Sequence, residues 1–528
     1  MTPKNSLLSS ISTPLTWIYL VLMLGGFPFY FQHNYIDLTS AKKNYFQSVS
    51  ILFLILTIAI GIYTYFYSEK KQRINFSFSI TDFCALVFAI VILISCCLSP
   101  AGAESFWGNE GRQMGGLFLL LCVGVYFAIS RYFQPNNWLV WLLFCSAVIL
   151  WLIVLCNFLD WDLLGMHHHL RKSQQVKFIG TLGNTNINAS YSGVLAALMF
   201  ALYYLNEKKF PRRCFFGASI LGIYACLCTA SDSWLLAVGS ALLLLLLLSM
   251  GDASKMLKWW KTCLTFFCAS TVMALTIIFA NLTNWQNAFI LNFQKQPLLC
   301  FLTDPRLLLA ELLLLLMIYL IIRSQAIYFL KKYGNKILAG FLVLGILITA
   351  ITIFPMDDSF GTNRGFIWKR TLANYWKFPL HQKLFGYGPN CFLASLEEHF
   401  GAEMRKHFKF PFLDAHNEAL QFLTVTGLLG MVSYMGMQLT LLVDCLRGLT
   451  QKHCHHFDNQ TSILQNNTSL SQYTAFSEEK FLLLGSVGIT AYLFQGLVNN
   501  PSIFTTPLYF IFLGMIKKGI QAHCWQKR

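Results

Sequence analysis

Apolar residues recur in blocks of about 20 along the whole chain, separated by short polar stretches. A helix needs a block of that length to cross the ~30 Å hydrocarbon core of a bilayer. The pattern predicts helices at 15–32, 45–67, 79–98, 114–130, 138–159, 184–205, 214–230, 233–250, 262–281, 305–322, 337–354, 417–446, 481–498 and 506–516. The last is short unless it runs past Lys517 with the lysine snorkelling to the headgroups. The runs on either side of Ser231 make either two helices or one broken one. The expected fold class is therefore an all-α polytopic membrane protein of about 12–14 transmembrane helices, with a large extracytoplasmic loop containing short helices. Residues 1–354 are expected to form an N-terminal bundle of about 11 helices, 355–415 the loop, and 416–528 the C-terminal helices. The apolar run at 15–31 reads as a first helix and not as a removed signal peptide, since no small-residue cleavage motif is evident.

Composition supports the membrane reading. Of 528 residues, 56% are apolar and only 12% are charged, against roughly 25% charged in a soluble domain. Most of the 16 cysteines sit inside apolar runs, such as ISCC at 94–97 and IYACLC at 223–228. There they act as small hydrophobes, and no zinc-type spacing accompanies them. No metal or other cofactor is expected.

The net charge of +16 has a topological meaning. Basic residues cluster between the apolar blocks, as topology determinants and contacts for anionic membrane lipids. No aromatic-basic module for nucleic acid appears. With the N-terminus inside and the helices alternating, the inner segments hold 23 Lys and Arg and the outer ones 16, eight of them in 355–415. Long loops count little in this balance, so both termini are expected in the cytoplasm of a multi-pass cell-membrane protein, with 355–415 outside. The inner segment 447–480 is rich in Asn, Gln, Ser and Thr and reads as a flexible linker. Its His453, His455 and His456 lack any pattern that fixes a metal geometry, and Asn466 lies in an acceptor-like NNTS on the wrong side. HHHL at 167–170 reads as an interfacial polar loop or a ligand site.

The chemistry-bearing residues gather at the outer helix ends. In TNRGFIWKRTLANYW, positions 364, 367, 368, 371 and 375 share one helical face. Either Trp368 and Tyr375 anchor an interfacial helix, or Arg364 grips a phosphate or pyrophosphate through its planar fork. The following segment turns sharply at Gly386, Gly388 and Pro389. His416 opens an apolar helix, with Asp414 or Asn417 as N-cap and Gln421 about a turn further on. It either ends a span or serves as a general base near neutral pH. Arg112 stands among Gly108, Gly111, Gly115 and Gly116 and binds phosphate or pairs with Glu104 or Glu110. Asp232 orients a sugar hydroxyl or pairs with an arginine, and Asn184 and Asn186 offer amides for sugar or backbone. Asp357 and Asp358 are adjacent carboxylates with an ion site as their alternative reading.

Several of these blocks, in this order, resemble the O-antigen ligase and polymerase superfamily of bacterial membrane proteins. They are GTLGNTNINASYSGVLAAL at 180–198, TASDSWLLAV at 229–238, NRGFIWKRTLANYWKFPLHQKLFGYGPNCF at 363–392 and AHNEALQFLTVTGLLG at 415–430. The resemblance covers about 100–430. It implies transfer or polymerisation of a glycan from an undecaprenyl-pyrophosphate-linked donor onto a glycan or glycolipid acceptor at the outer face, by an inverting, metal-independent route. Arg364 would hold the pyrophosphate and His416 would help deprotonate the acceptor. Arg112, Asp232, Asn184, Asn186, Trp368, Asn417 and Gln421 would contact substrate. One departure stands out: the ligases carry an arginine in the Ser-x-Ser junction where this chain has Asp232. The second clamp then comes from elsewhere, such as Arg112, or the donor is held differently. The Phe-rich helices and FPFYF opening look more like Gram-positive members, which implies a wall, capsular or teichoic-type polymer. A monomer or weak oligomer is expected. The alternative is a transporter or flippase of lipid-linked glycans, for which the sequence offers no convincing internal repeat.

Overall fold

The computed structural model describes residues 7–67, 78–250, 252–324, 357–408, 411–458 and 478–524. The span predicted at 337–354 and the Asn466 sequence lie outside them, as do the side chains of His453, His455 and His456. Among the described residues the structure is helical throughout, with one isolated bridge between Phe178 and Asn184 and no sheet. It is an all-α polytopic membrane protein. Among the described residues, eight helices are long and apolar enough to cross a membrane: Ile11–Phe29, Leu38–Tyr63, Ile80–Leu98, Trp138–Phe158, Thr185–Leu205, Ala253–Leu282, Pro305–Arg323 and Gly427–Leu449. Gly116–Tyr132 and Trp234–Ser249 are shorter apolar helices.

The remaining predicted blocks among the described residues are helical but more polar. Lys209–Cys228, Glu478–Gly496 and Thr506–Cys524 carry charges within their own ends. Thr506–Cys524 does run past Lys517, yet Lys517 is buried in protein instead of snorkelling. Its neighbour Lys518 donates to the Arg131 carbonyl at 2.8 Å, filling an acceptor that the end of Gly116–Tyr132 leaves open. The helix Gly427–Asp458 extends into the segment read as a linker.

The chain divides into two compact units. Unit 1 comprises Met1–Ser146, Trp368–Ser486 and Asn500–Arg528; unit 2 comprises Ala147–Ile367 and Val487–Asn499.

In unit 1, Gly427–Asp458 packs on Ile80–Leu98, and Thr506–Cys524 on Gly116–Tyr132. Phe88, Phe422, Tyr434 and Phe510 form an aromatic column, with centroid spacings from 4.3 to 6.1 Å. Ile80–Leu98 starts on a reciprocal cap: Ser79 Oγ accepts from Asp82 N, and Asp82 Oδ2 from Ser79 N. The first span ends in a π turn, Val21–Gly26, and a 3₁₀ turn, Phe27–Phe29. The buried Lys42 Nζ donates to two carbonyls of that ending, Phe27 O at 2.5 Å, which also accepts from Tyr30 N, and Pro28 O at 2.8 Å.

The span predicted as one helix at 417–446 is two, Glu418–Val425 and Gly427–Asp458. The break at Gly427, φ +70°, exposes carbonyls of the first piece. Tyr387 N donates to Thr424 O at 2.9 Å, Gly388 N to Val425 O at 3.0 Å, and Ser95 Oγ also to Val425 O at 3.0 Å. The two strands of chain touch so closely that a Cβ on Gly427 would lie 2.4 Å from the Leu384 carbonyl. The glycines thus form a backbone crossing, and the sharp turn expected there serves to repair a helix break.

In unit 2, Thr185–Leu205 is the central helix, covered by Lys209–Cys228 and Trp234–Ser249. Gly193 accommodates Trp234 and Gly222 accommodates Trp151, the close approach that small residues permit between membrane helices. The runs around Ser231 are two helices, joined through Ala230 at φ +52°.

Candidate functional site

Unit 1 brings five of the sequence-derived residues into one constellation around 412–421. Asp414, 2% exposed at its side chain, is the hub. Its Oδ2 accepts from Arg112 Nε at 2.6 Å and lies 2.5 Å from a terminal guanidinium nitrogen. Its Oδ1 accepts from the His416 backbone N–H at 3.1 Å and lies 3.3 Å from the His416 Nδ1. One carboxylate therefore touches a guanidinium with one oxygen and an imidazole with the other. Burial pushes the Asp414 pKa up, but the Arg112 charge, His416 and the hydrogen bonds to both outweigh it and hold the carboxyl below its ordinary value.

The loop carrying this hub is locked on every side. Trp368 Nε1 donates to Ala415 O at 2.9 Å, and Ala415 N donates to Gln421 Oε1 at 2.9 Å. Asn417 is the N-cap, accepting from Leu420 N at 2.9 Å. That leaves Asp414 for Arg112, so of the two capping residues weighed, the asparagine takes the helix. His416 has φ +48°, left-handed backbone for a non-glycine residue, with its ring edge-on to Phe412 at 5.8 Å. Strain of that kind persists only where the surroundings over-determine it.

Arg112 sits on a loop pinched at its base. A Cβ on Gly108 would meet Gly115 N at 2.4 Å, so only glycines close this neck. Glu104 does not pair with Arg112, and neither does Glu110. The Glu104 carboxylate instead accepts from Asn109 N, Glu110 N and Asn390 Nδ2, bracing the loop from within. Asn390 Oδ1 accepts from Met114 N at 3.0 Å. Lys43 Nζ grips Trp107 O at 2.9 Å and Gly108 O at 2.7 Å. A recess of about 20 Å³, room for about one water, opens beside the hub, lined among others by Arg112, Asn390, Asp414, Gln421 and Asn500. Lys43, Asn390 and the partnership of Asp414 with Arg112 are the features that sequence reading missed. The partners are 302 residues apart, and the one local clue was an Asp two positions before a His.

Unit 2 holds the other candidates. Asn184 caps Thr185–Leu205 through Asn186 N at 2.8 Å. Asn186 Oδ1 accepts from Ser231 Oγ at 2.8 Å, and Ser231 contacts Ser233 at 3.1 Å. The Ser-x-Ser junction and the Asn helix start are thus one hydrogen-bonded patch, with Asp232 exposed on it and in no ion pair among the described residues. Arg364 is half-buried on Phe360–Lys377, one turn before Trp368. On that helix Ile367, Thr371 and Tyr375 are buried, so the face seen in the sequence packs into protein. Asp357 accepts from Asp358 N and Ser359 Oγ at 2.7 Å each, which ties its carboxylate into the turn leading to this helix.

The fold and the site together define a polytopic helical membrane protein with a carboxylate-bridged arginine and histidine. Residues 288–435 match the Wzy_C family model, described as O-Antigen ligase, so an O-antigen ligase domain is present there. The match includes Arg364, Trp368, Asp414, His416, Asn417 and Gln421, and it agrees with the resemblance carried by the motifs. No curated protein matches the chain.

Proposed function

We propose that the protein transfers or polymerises a glycan from an undecaprenyl-pyrophosphate-linked donor onto a hydroxyl acceptor, at the outer face of the cytoplasmic membrane. The observation that carries this reading is the Arg112–Asp414–His416 hub, two of whose members lie in the O-antigen ligase domain. Asp414 holds the imidazole by Nδ1, which directs its chemistry to Nε2. In the proposed step the acceptor oxygen attacks the anomeric carbon of the donor while Nε2 of His416 takes the hydroxyl proton. The bond from that carbon to the pyrophosphate oxygen breaks with inversion. Undecaprenyl pyrophosphate leaves with the electron pair, its growing charge met by guanidinium groups. Arg364 is assigned to the pyrophosphate and Arg112 is the second cation. Asn184, Asn186, Asp232, Trp368, Asn417 and Gln421 are assigned to substrate contact or to holding the groups that make it.

The test is reconstitution of the purified protein with a defined undecaprenyl-pyrophosphate oligosaccharide. Products from donor alone indicate polymerisation, and dependence on a second glycan indicates ligation. Arg364→Ala and His416→Ala are expected to abolish both while the protein remains in the membrane. Movement of donor across the bilayer without bond formation would replace this reading with transport.

A further inference from the structure

The histidine run at 167–169 is not used by the chemistry above, and it borders a second recess, wholly within unit 2. This recess has a volume of about 360 Å³, within the roughly 300–1,000 Å³ typical of small-ligand pockets. Asn157, Asp160, Asp162, His167, His168 and Gln175 line it. We propose that it is a saccharide-binding subsite for uncharged or amino sugars, serving the glycan handled by the proposed transfer reaction and resting on that reading.

Three observations support the assignment. The first is that the rim is fixed before any ligand arrives. Asp162 accepts from Met166 N at 3.0 Å and His167 N at 2.7 Å. The His167 ring lies between Asp162 Oδ1 at 3.5 Å and Phe178 O at 2.9 Å, edge-on to Phe289. Asn157 accepts from Gly180 N at 2.8 Å, and its amide donates to Trp161 O at 3.4 Å. Asp160 is held at φ +65°, a strained conformation for a residue with a side chain.

The second observation is the lining chemistry. Carboxylates, amides and imidazoles alternate acceptors with donors, as vicinal hydroxyls require. No lysine or arginine among the described residues lines the recess, and the His167 imidazole is already engaged with Asp162, so the lining favours hydroxyls over phosphate or uronate. Among the described residues no group of three or more His, Cys, Asp or Glu is arranged to hold a metal. The third is aromatic surface: Phe289 lines the recess as an apolar wall for a sugar ring, and Trp161, between the two aspartates in the chain, is 61% exposed.

The acceptor glycan and the donor's own glycan tail share this chemistry, and kinetics separates them. The experiment compares full-length wild type with Asp160→Ala/Gln175→Ala and with Trp161→Ala in the reconstituted reaction. Donor and acceptor concentrations are varied in turn. We expect KM for one glycan to rise at least tenfold with kcat within twofold. A rise for the acceptor assigns the recess to the acceptor, and a rise for the donor assigns it to the donor tail. Direct binding is read by saturation-transfer NMR, with the oligosaccharide released from the donor by mild acid as probe. The saccharide signals should be present with wild type and lost with both variants, at unchanged thermal midpoint. Unchanged KM values and unchanged saccharide signals would overturn the subsite. So would a loss of thermal stability without any change in saccharide affinity, since Trp161 would then be only a membrane anchor. Wild-type protein that forms no glycosidic bond at all would instead refute the transfer reading, while the NMR arm would still decide whether the recess binds sugar.

Discussion

His416 combines a reactive ring with a backbone conformation that glycine adopts more easily, at φ +48°. These two properties can be separated. His416→Ala should lower turnover by about 10²–10⁴-fold, the usual worth of a general base. His416→Gly should be equally inactive yet unfold at a higher temperature than the alanine variant, because it removes strain of order 1 kcal/mol. Equal midpoints would show that the surroundings have already paid for the left-handed turn. Asp414 gives a pH signature. Its pKa is lower in the folded protein than in the unfolded chain, where it takes an ordinary value near ~3.9. Its contribution to stability is therefore fully present above that ordinary value and is lost as pH falls through the depressed folded value. Thermal unfolding in detergent should show an acid-side loss that is flattened in Asp414→Asn, whose midpoint at neutral pH should already be low. His416 was legible from its type and place at a helix start. The hub was not, because the chain gives no local sign of which carboxylate a distant arginine will choose.

At the scale of elements, the helix break at 425–427 depends on a segment that reads only as a turn. Hydropathy runs unbroken across 417–446 and predicts one span, since periodicity carries no information about a φ of +70° at one glycine. Gly386 and Gly427 meet at the crossing: a Cβ on Gly386 would lie 2.4 Å from Thr426 N, and one on Gly427 2.5 Å from Gly386 N. Gly427→Ala should therefore cost more than the ~1 kcal/mol of a left-handed alanine alone, because backbone must move. The expected result is a thermal midpoint several degrees lower, with activity falling in step as the 414–421 loop loses its support. An alanine variant as stable as wild type would mean that the crossing is loose. The helices themselves were readable, because lipid demands long apolar runs. What escaped was the manner in which interrupted helices repay their orphaned carbonyls, through Lys42 for the first span, Lys518 for the Arg131 carbonyl and the 386–388 backbone for the last.

On the scale of the whole molecule, the charge balance leads us to propose both termini in the cytoplasm and the segment 355–415 outside. Reporter fusions or labelling of single introduced cysteines should find Lys209 and Lys255 on the terminal side of the membrane, and Lys383 and Arg405 on the other. A swap of the last pair would mean that one predicted helix between them does not span. The family match starts at residue 288, so it carries His416 and Arg364 but not Arg112, whose place beside Asp414 only the fold reveals. The Arg112–Asp414 pair also sets a timetable for synthesis. Its members are 302 residues apart, so at roughly 5–20 residues per second the ribosome needs on the order of 15–60 s after making the arginine to supply its carboxylate. For that interval the glycine-necked loop exists without its anchor in a chain already crossing the membrane. Nascent chains stalled before residue 414 should be cut by protease at 108–115, and chains stalled well beyond it should be protected. The nascent chain thus carries the Arg112 loop through the bilayer unanchored until the last quarter of the polypeptide supplies its carboxylate.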